Sequence, residues 1–237
     1  MNNTLDFYKI ANQFEYPKKL WNIEILDELL DVLNIKENDK ILDIGCGNGK
    51  FVYLCNKKAK AIGIDIISEP WMNLISSKYC YTYDSLKNVK FNYTFNKITF
   101  IKSYDMCKND ITHIEHLFNA NCSFFIIERS SDDVISKIFN EMFYLLLNHL
   151  CKIKLNFNTM QLDYEKYVKI KKIIIYENYL TRKKLIDRII HYSPLLWFYI
   201  NGQIALNDLK SFVNDNLKYY SDYKFKCKYD VYKKFNY

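Results

Sequence analysis

The chain has 237 residues, 49% of them hydrophobic and 26% charged, the balance of an ordinary globular protein large enough for a substantial core. No apolar run approaches the roughly 18 residues needed to cross a bilayer, the longest being Ile173 to Ile175, Met142 to Leu147 and Pro194 to Ile200, so a membrane-spanning reading is excluded. The formal net charge of +7 raises nucleic acid as a partner, but only three of the 34 basic residues are arginines (Arg129, Arg182 and Arg188), and the lysines are scattered along the sequence.

The residues Met1-Asn2-Asn3-Thr4-Leu5-Asp6 lack the basic and apolar regions of a secretory signal, so a cytoplasmic protein is expected. The seven cysteines are scattered, with no C-x-x-C pair, which argues against a disulfide framework or a zinc site. His113 and His116 stand three apart without partnering ligands and read as surface residues. Nothing in the sequence sets an oligomeric state. The abundance of Asn, Ile, Lys, Tyr and Phe fits a biased base composition in the gene, which would raise lysine and aromatic content without selection for binding.

In chain order, residues 1–37 precede the first readable strand. Lys40-Ile41-Leu42-Asp43-Ile44 follows as a short apolar run of the kind found in buried parallel strands. Five glycines in the whole chain are about 2%, against a usual 7%, yet Gly45, Gly47 and Gly49 fall within five residues. Beyond them Lys50 to Lys57 forms a helix, with Phe51, Val52, Leu54 and Cys55 on its apolar face. Strand, glycine turn and helix together aim backbone N–H groups at a ligand. A second buried strand, Ala59 to Ile67, carries Asp65 twenty residues after Gly45, the distance at which an acid reaches a ribose in a nucleotide-binding β-α-β unit.

Two phosphate-binding patterns fail here. The dinucleotide fingerprint needs glycine where Lys50 stands, and the phosphate loop needs glycine at Ile44 and a hydroxyl residue at Phe51. The remaining pattern, Ile41-Leu42-Asp43-Ile44-Gly45-Cys46-Gly47-Asn48-Gly49 with Asp65 downstream, resembles the first motif of class I S-adenosylmethionine-dependent methyltransferases.

That resemblance implies that Gly45, Cys46, Gly47 and Gly49 pass beneath the methionine and ribose parts of S-adenosyl-L-methionine. It also implies that Asp43 anchors the loop and the cofactor's amino group, and that Asp65 takes the ribose hydroxyls with Ile66 against the adenine. A third strand, Lys97 to Lys102, ends in Ser103-Tyr104-Asp105-Met106. Asp105 matches the acid that accepts from the adenine amino group, and the Met106 N–H faces the ring. Thr82 to Asn96 reads as an insertion or an extra hairpin. A fourth strand, Ser123 to Ile127, ends at Glu128, a helix runs from about Asp132 to Leu150, and a fifth strand covers Lys152 to Asn158.

The chain departs from the family pattern at Asn121-Cys122-Ser123, lacks a Gly-Gly before the fifth strand, and has no Asn-Pro-Pro-Tyr or Asp-Pro-Pro-Tyr stretch, which disfavours DNA adenine modification. Tyr167 to Tyr179 contains a strand, a helix opens at Thr181, Pro194 to Ile200 and Ala205 to Leu217 are helical, and Tyr223 to Lys233 alternates like a closing strand pair. This tail is similar to the small-molecule methyltransferases of the trans-aconitate group, in which helices cover the substrate; the same resemblance implies N-terminal helices over 1–37, from which an aromatic, here Tyr8 or Phe14, closes over the cofactor.

The expected fold is therefore α/β: a Rossmann-like, doubly wound, mostly parallel seven-stranded sheet with N-terminal helices and a helical lid among the last strands. It forms one domain over 1–237, with the cofactor core at 38–160 and lid helices and closing strands at 161–237. The implied reaction is in-line displacement at a sulfonium methyl, in which positioning and exclusion of water supply much of the acceleration. Glu128 and His191 are the candidate bases, though both also read as ordinary loop or helix-end residues. Trp71, Trp197 and Tyr192 could line a pocket or simply pack in the core. The expected acceptor is a small molecule, with nucleic acid disfavoured. An RNA or protein acceptor, or cofactor binding without catalysis, are the alternatives.

Overall fold

Ile41, Leu42, Asp43 and Ile44 are buried in succession, as a strand with neighbours on both edges and layers on both faces must be. In the computed structural model they form an inner strand of a seven-stranded sheet. The structure describes residues 23–66, 78–130, 137–138, 141–142, 145–146, 167–180, 183, 186, 189–190, 204–218 and 223–234. Its elements are α1 (Ile23–Val32), β1 (Lys40–Ile44), α2 (Lys50–Cys55), β2 (Lys60–Asp65), β3 (Cys80–Thr82), β4 (Phe95–Ile101), α3 (Tyr104–Cys107), β5 (Phe118–Arg129), β6 (Tyr167–Leu180), α4 (Leu206–Asn216) and β7 (Tyr223–Lys234).

The strand order is β3-β2-β1-β4-β5-β7-β6. The pairs β1–β2, β1–β4, β2–β3 and β4–β5 are parallel, so the C-terminal ends of β1 to β5 share one edge. β7 runs antiparallel to β5: Ser130 donates its N–H to the Lys228 carbonyl at 2.9 Å, while Lys233 and Lys234 lie over the Phe125 and Phe124 rings. The mostly parallel Rossmann-like sheet expected from the sequence is present.

Several elements differ from expectation. β3 is an additional parallel edge strand inside the segment read as an insertion or hairpin, so the strand expected as the third is the fourth. Three residues with a single buried side chain, Cys80, give too short an apolar pattern to register in sequence. β5 begins at Phe118, earlier than expected, and its ladder with β4 slips: Phe95 pairs with Phe118 but Lys97 with Ser123, leaving Asn119 to Cys122 in a bulge opposite Asn96. Tyr223 to Lys234 is one strand and not a pair. The α2 helix does bury Phe51, Val52, Leu54 and Cys55. It stops at Asn56, whose side-chain amide donates to the Val52 and Ala61 carbonyls and accepts from the Ala61 N–H, bolting the helix end to β2.

The chain divides into two compact units. One, made of Pro17–Glu128, Leu162–Ile173 and Tyr229–Tyr237, holds the glycine loop and a core of Leu42, Ile44, Ile64, Phe95, Ile98, Phe100 and Ile126. The other takes Met1–Tyr16, Arg129–Gln161 and Ile174–Lys228. In it Ile138, Met142 and Leu146 are buried at helical four-residue spacing, and α4 buries Leu209 and Val213. The expected fifth strand at Lys152–Asn158 and the helix at Pro194–Ile200 lie outside the described residues, whereas the helix expected at Ala205 to Leu217 is present as α4. No helix among the described residues is long and apolar enough to cross a membrane.

Candidate functional site

The turn after β1 has a backbone only glycine adopts without strain. Gly45, Gly47 and Gly49 have φ of 73°, 53° and 69°, all left-handed. The three positions serve different ends. A Cβ on Gly45 would stand 2.4 Å from the Ser103 Cβ, because the segment after β4 packs directly on the turn and the Ser103 hydroxyl donates to the Ile44 carbonyl. A Cβ on Gly47 would meet nothing within 4 Å, so the loop there faces open space. Gly49 supplies the residue that starts α2.

The loop's donors are held internally, contrary to the expectation that they aim at a ligand. The Gly45 and Cys46 N–H groups both donate to the Ile64 carbonyl, at 2.8 and 3.1 Å. The Gly47 N–H donates to Asp65 Oδ2 at 2.7 Å. The turn is thereby stapled to the end of β2, and it differs physically from a loop that cradles phosphate with its amides.

Asp43 lies fully inside. The parallel register sets it beside Gly63 of β2 and Thr99 of β4, and the Thr99 hydroxyl donates to Asp43 Oδ1 at 2.7 Å. Burial pushes the Asp43 carboxyl up to about 7, with the nearby Asp65 charge adding to the effect and the Thr99 hydrogen bond opposing it. Gly63 leaves the slot that Cys46 fills: a Cβ there would stand 2.6 Å from the Cys46 sulfur. Cys46 is also hydrogen-bonded to Cys80, the residue opposite Gly63 on β3, an arrangement that keeps the Cys46 thiol protonated and favours ionisation of Cys80.

Asp65 and Ile66 are half-buried at the C-terminal end of β2, as expected. The strand end beside them is that of β3, and the Tyr83 N–H donates to the Asp65 backbone carbonyl at 3.0 Å. Asp84 follows, exposed, with Oδ1 accepting from Asn88 at 2.6 Å. Asp105 and Met106 instead belong to α3, after β4, one strand further across on the other side of β1. The assignment of Asp105 as the acid of the third strand therefore shifts, and Asp84 occupies that topological place. The sequence signal missed was the short Cys80-Tyr81-Thr82 run ahead of an acid. Glu128 is half-buried at the end of β5 on the same sheet edge. His113 lies in a helical turn, its Nε2 3.9 Å from Asp110 Oδ1. Tyr8, Phe14, His191, Trp71, Trp197 and Tyr192 lie outside the described residues.

Among solved structures, the fold resembles an S-adenosylmethionine-dependent methyltransferase from Thiobacillus denitrificans determined with S-adenosyl-L-homocysteine, at a TM-score of 0.54 and 12% identity over 97% of this chain and 98% of that one. It also resembles the YcgJ protein of a Bacillus, at a TM-score of 0.54 and 13% identity over 90% and 97%. This is the Rossmann-like methyltransferase fold. No family model matches the sequence.

The curated relatives are ribosomal RNA small subunit methyltransferases A. That of Borreliella burgdorferi is 31% identical over 149 residues, 60% of this chain and 46% of the relative. That of Borrelia garinii subsp. bavariensis is 24% identical over 177 residues, 72% of this chain and 57% of the relative. The chain thus spans about half the length of the curated relatives it matches. These relatives overturn the expectation of a small-molecule acceptor with nucleic acid disfavoured, since every one named acts on RNA. The argument from scattered lysines failed for a physical reason: residues distant in sequence meet on a folded surface, so dispersal along a methyltransferase-fold chain says little about clustering in space.

Proposed function

We propose that this chain binds S-adenosyl-L-methionine at the Gly45–Gly49 turn and transfers its methyl group to an RNA acceptor. The observation that carries the cofactor part is the pairing of an open, left-handed Gly47 with the Asp65 carboxylate that holds its N–H. A side chain at 47 would occupy the space a ligand needs, and a carboxylate at the β2 end offers acceptors for vicinal sugar hydroxyls. The residues fit the cofactor: Asp65 for the ribose, Asp43 for the charged amino end, Ile66 and the Tyr83–Asp84 strand end for the adenine. The RNA part rests on the curated relatives.

When bound, the cofactor supplies an electrophilic sulfonium methyl. The chain's own residues have four tasks: to hold the loop, to exclude water, to orient the acceptor at the shared strand edge, and to receive a proton if the acceptor must lose one. In this reading Glu128, near the end of β5, takes the last task. A cytoplasmic site of action belongs to the same reading.

A second reading, cofactor binding without turnover, is favoured by one feature. The three prolines Pro17, Pro70 and Pro194 are isolated, so the chain has no Asn-Pro-Pro-Tyr or Asp-Pro-Pro-Tyr stretch of the kind base-amine methyltransferases carry. Calorimetry with S-adenosyl-L-methionine and its demethylated product, followed by transfer of a labelled methyl group to small-subunit ribosomal RNA, tests both. Micromolar cofactor binding with label in the RNA supports the first reading. Binding without label on any acceptor supports the second, and absence of binding to either form removes both.

A further inference from the structure

The crossover from β3 to β4 is where aromatic rings reach solvent. A helix commonly makes such a connection in parallel sheets, but here residues 83–94 contain only a short helical turn at Leu86–Asn88. Phe91 takes the covering role: its ring lies 5.4 Å from buried Phe95, 6.0 Å from Tyr81, 6.4 Å from Tyr83 and 5.8 Å from Tyr93. Tyr81 and Tyr93 nevertheless remain 43% and 37% exposed. They pack against Phe91 and leave much of their own surface in water.

Among the described residues of this stretch, lysines outnumber acids. Between Lys78 and Lys97 the only acid is Asp84, already bonded to Asn88, whereas Lys78, Lys87 and Lys90 are exposed and Lys40 stands 5.5 Å over the Tyr93 ring. β3 is an edge strand of the sheet, and among the described residues no further strand encloses the patch. Exposed rings flanked by lysines and nearly free of carboxylates match the needs of single-stranded RNA, whose bases stack on aromatic faces while its phosphates seek cations. An acidic protein would use the lysines but has no comparable use for stacking rings.

The geometry points to a second RNA-contacting surface at Tyr81 and Tyr93, with Lys87 and Lys90 beside them, that grips a single-stranded segment of the acceptor away from the glycine turn. This inference rests on the RNA-acceptor reading and adds where the RNA is held.

The test is fluorescence anisotropy of a labelled twelve-nucleotide single-stranded RNA with the full chain, alongside calorimetry with S-adenosyl-L-homocysteine. The Tyr81→Ala/Tyr93→Ala variant should bind the RNA about ten-fold or more weakly. Tyr81→Phe/Tyr93→Phe, which keeps the rings, should bind like the wild type, and both should bind S-adenosyl-L-homocysteine as the wild type does. Lys87→Ala/Lys90→Ala should reduce the slope of log affinity against log salt by about 2. Unchanged RNA affinity in the alanine pair overturns this surface while leaving the RNA-acceptor reading intact. A wild type that binds cofactor product but no RNA overturns the acceptor reading and the surface with it. Equal competition by polyglutamate would assign the patch to an acidic protein and overturn the inference as well.

Discussion

Asp65 Oδ2 accepts the Gly47 N–H at 2.7 Å, so the carboxylate at the end of the second strand and the middle of the glycine turn form one unit. Each depends on the other. The left-handed turn brings the Gly47 amide to β2, and the carboxylate fixes the turn without closing the space above it. Removing the carboxylate should loosen the turn and delete the sugar acceptor together. Asp65→Ala is expected to weaken S-adenosyl-L-homocysteine binding by at least ten-fold, since charge-assisted hydrogen bonds contribute roughly 1.5 to 3 kcal/mol each. Global stability should fall by only about 1 kcal/mol, because Asp65 is half-exposed. Calorimetry and a urea melt separate the two effects; a large stability loss with unchanged binding would contradict the assigned role.

Gly45 and Gly47 should respond to the same substitution for different reasons and to different degrees. Alanine at 45 meets Ser103 and is strained, so Gly45→Ala should cost roughly 2 to 4 kcal/mol of stability. Adding Ser103→Gly removes the colliding Cβ and should restore part of that loss, giving a clear coupling in a double-mutant cycle. Alanine at 47 is strained but collides with nothing, so Gly47→Ala should cost about 1 to 2 kcal/mol in stability while lowering cofactor affinity sharply. Equal behaviour of the two variants in denaturant and in calorimetry would count against this division.

What the sequence made legible follows from how local each signal is. The β1 run, the glycine turn, the α2 face and the place of Asp65 are encoded within some twenty-five residues, and each appears where expected. The edge strand β3 escaped because its stability comes from pairing with β2, through Gly63 to Cys80 and Asp65 to Thr82, and not from a pattern of its own. That omission displaced the third-strand acid from Asp84 to Asp105. Ser103 and Thr99 were equally invisible as partners of the turn, since contacts between residues more than fifty positions apart leave no periodic trace. The acceptor was misread because charge was judged along the chain.

Asp43 makes stability and binding depend on pH in opposite directions. Its carboxyl sits near 7 in the folded chain against an ordinary value of 3.8, so the folded state binds the proton more tightly than the unfolded state does. Between these values the unfolded chain carries fewer protons, and stability therefore falls as pH rises from about 4 to about 7. The full difference corresponds to about 4 kcal/mol at most. Asp43→Asn should remove this slope, visible as pH-independent melting where the wild type loses stability. Binding of the cofactor product, whose amino end is cationic, should tighten from pH 6 to 8 as Asp43 ionises, and the asparagine variant should lose that trend. A wild-type melting temperature that rises from pH 4 to 7 relative to Asp43→Asn would refute the buried, proton-binding state.

Lys97 should be the most destabilising lysine to remove in the cofactor-loop unit, although it lies far from the turn. Its ammonium donates to the Leu33 and Asn34 carbonyls at 2.8 and 3.0 Å, beyond the end of α1, and stands 3.4 Å from Asp39. Asp39 in turn accepts from the Lys36 N–H at 2.7 Å and from the Asn96 amide at 2.8 Å, and Asn96 accepts from the Lys40 N–H at 2.7 Å. One network thus joins the end of α1 to the starts of β1 and β4, with both charged side chains nearly buried. Lys97→Met keeps the stem but leaves two carbonyls and a carboxylate short of a donor, and should cost about 3 kcal/mol. Lys87→Met, at an exposed site, should cost less than about 0.5 kcal/mol. Chemical denaturation of the two variants side by side decides the matter, and similar midpoints would show that the network contributes little to holding the sheet on its first helix.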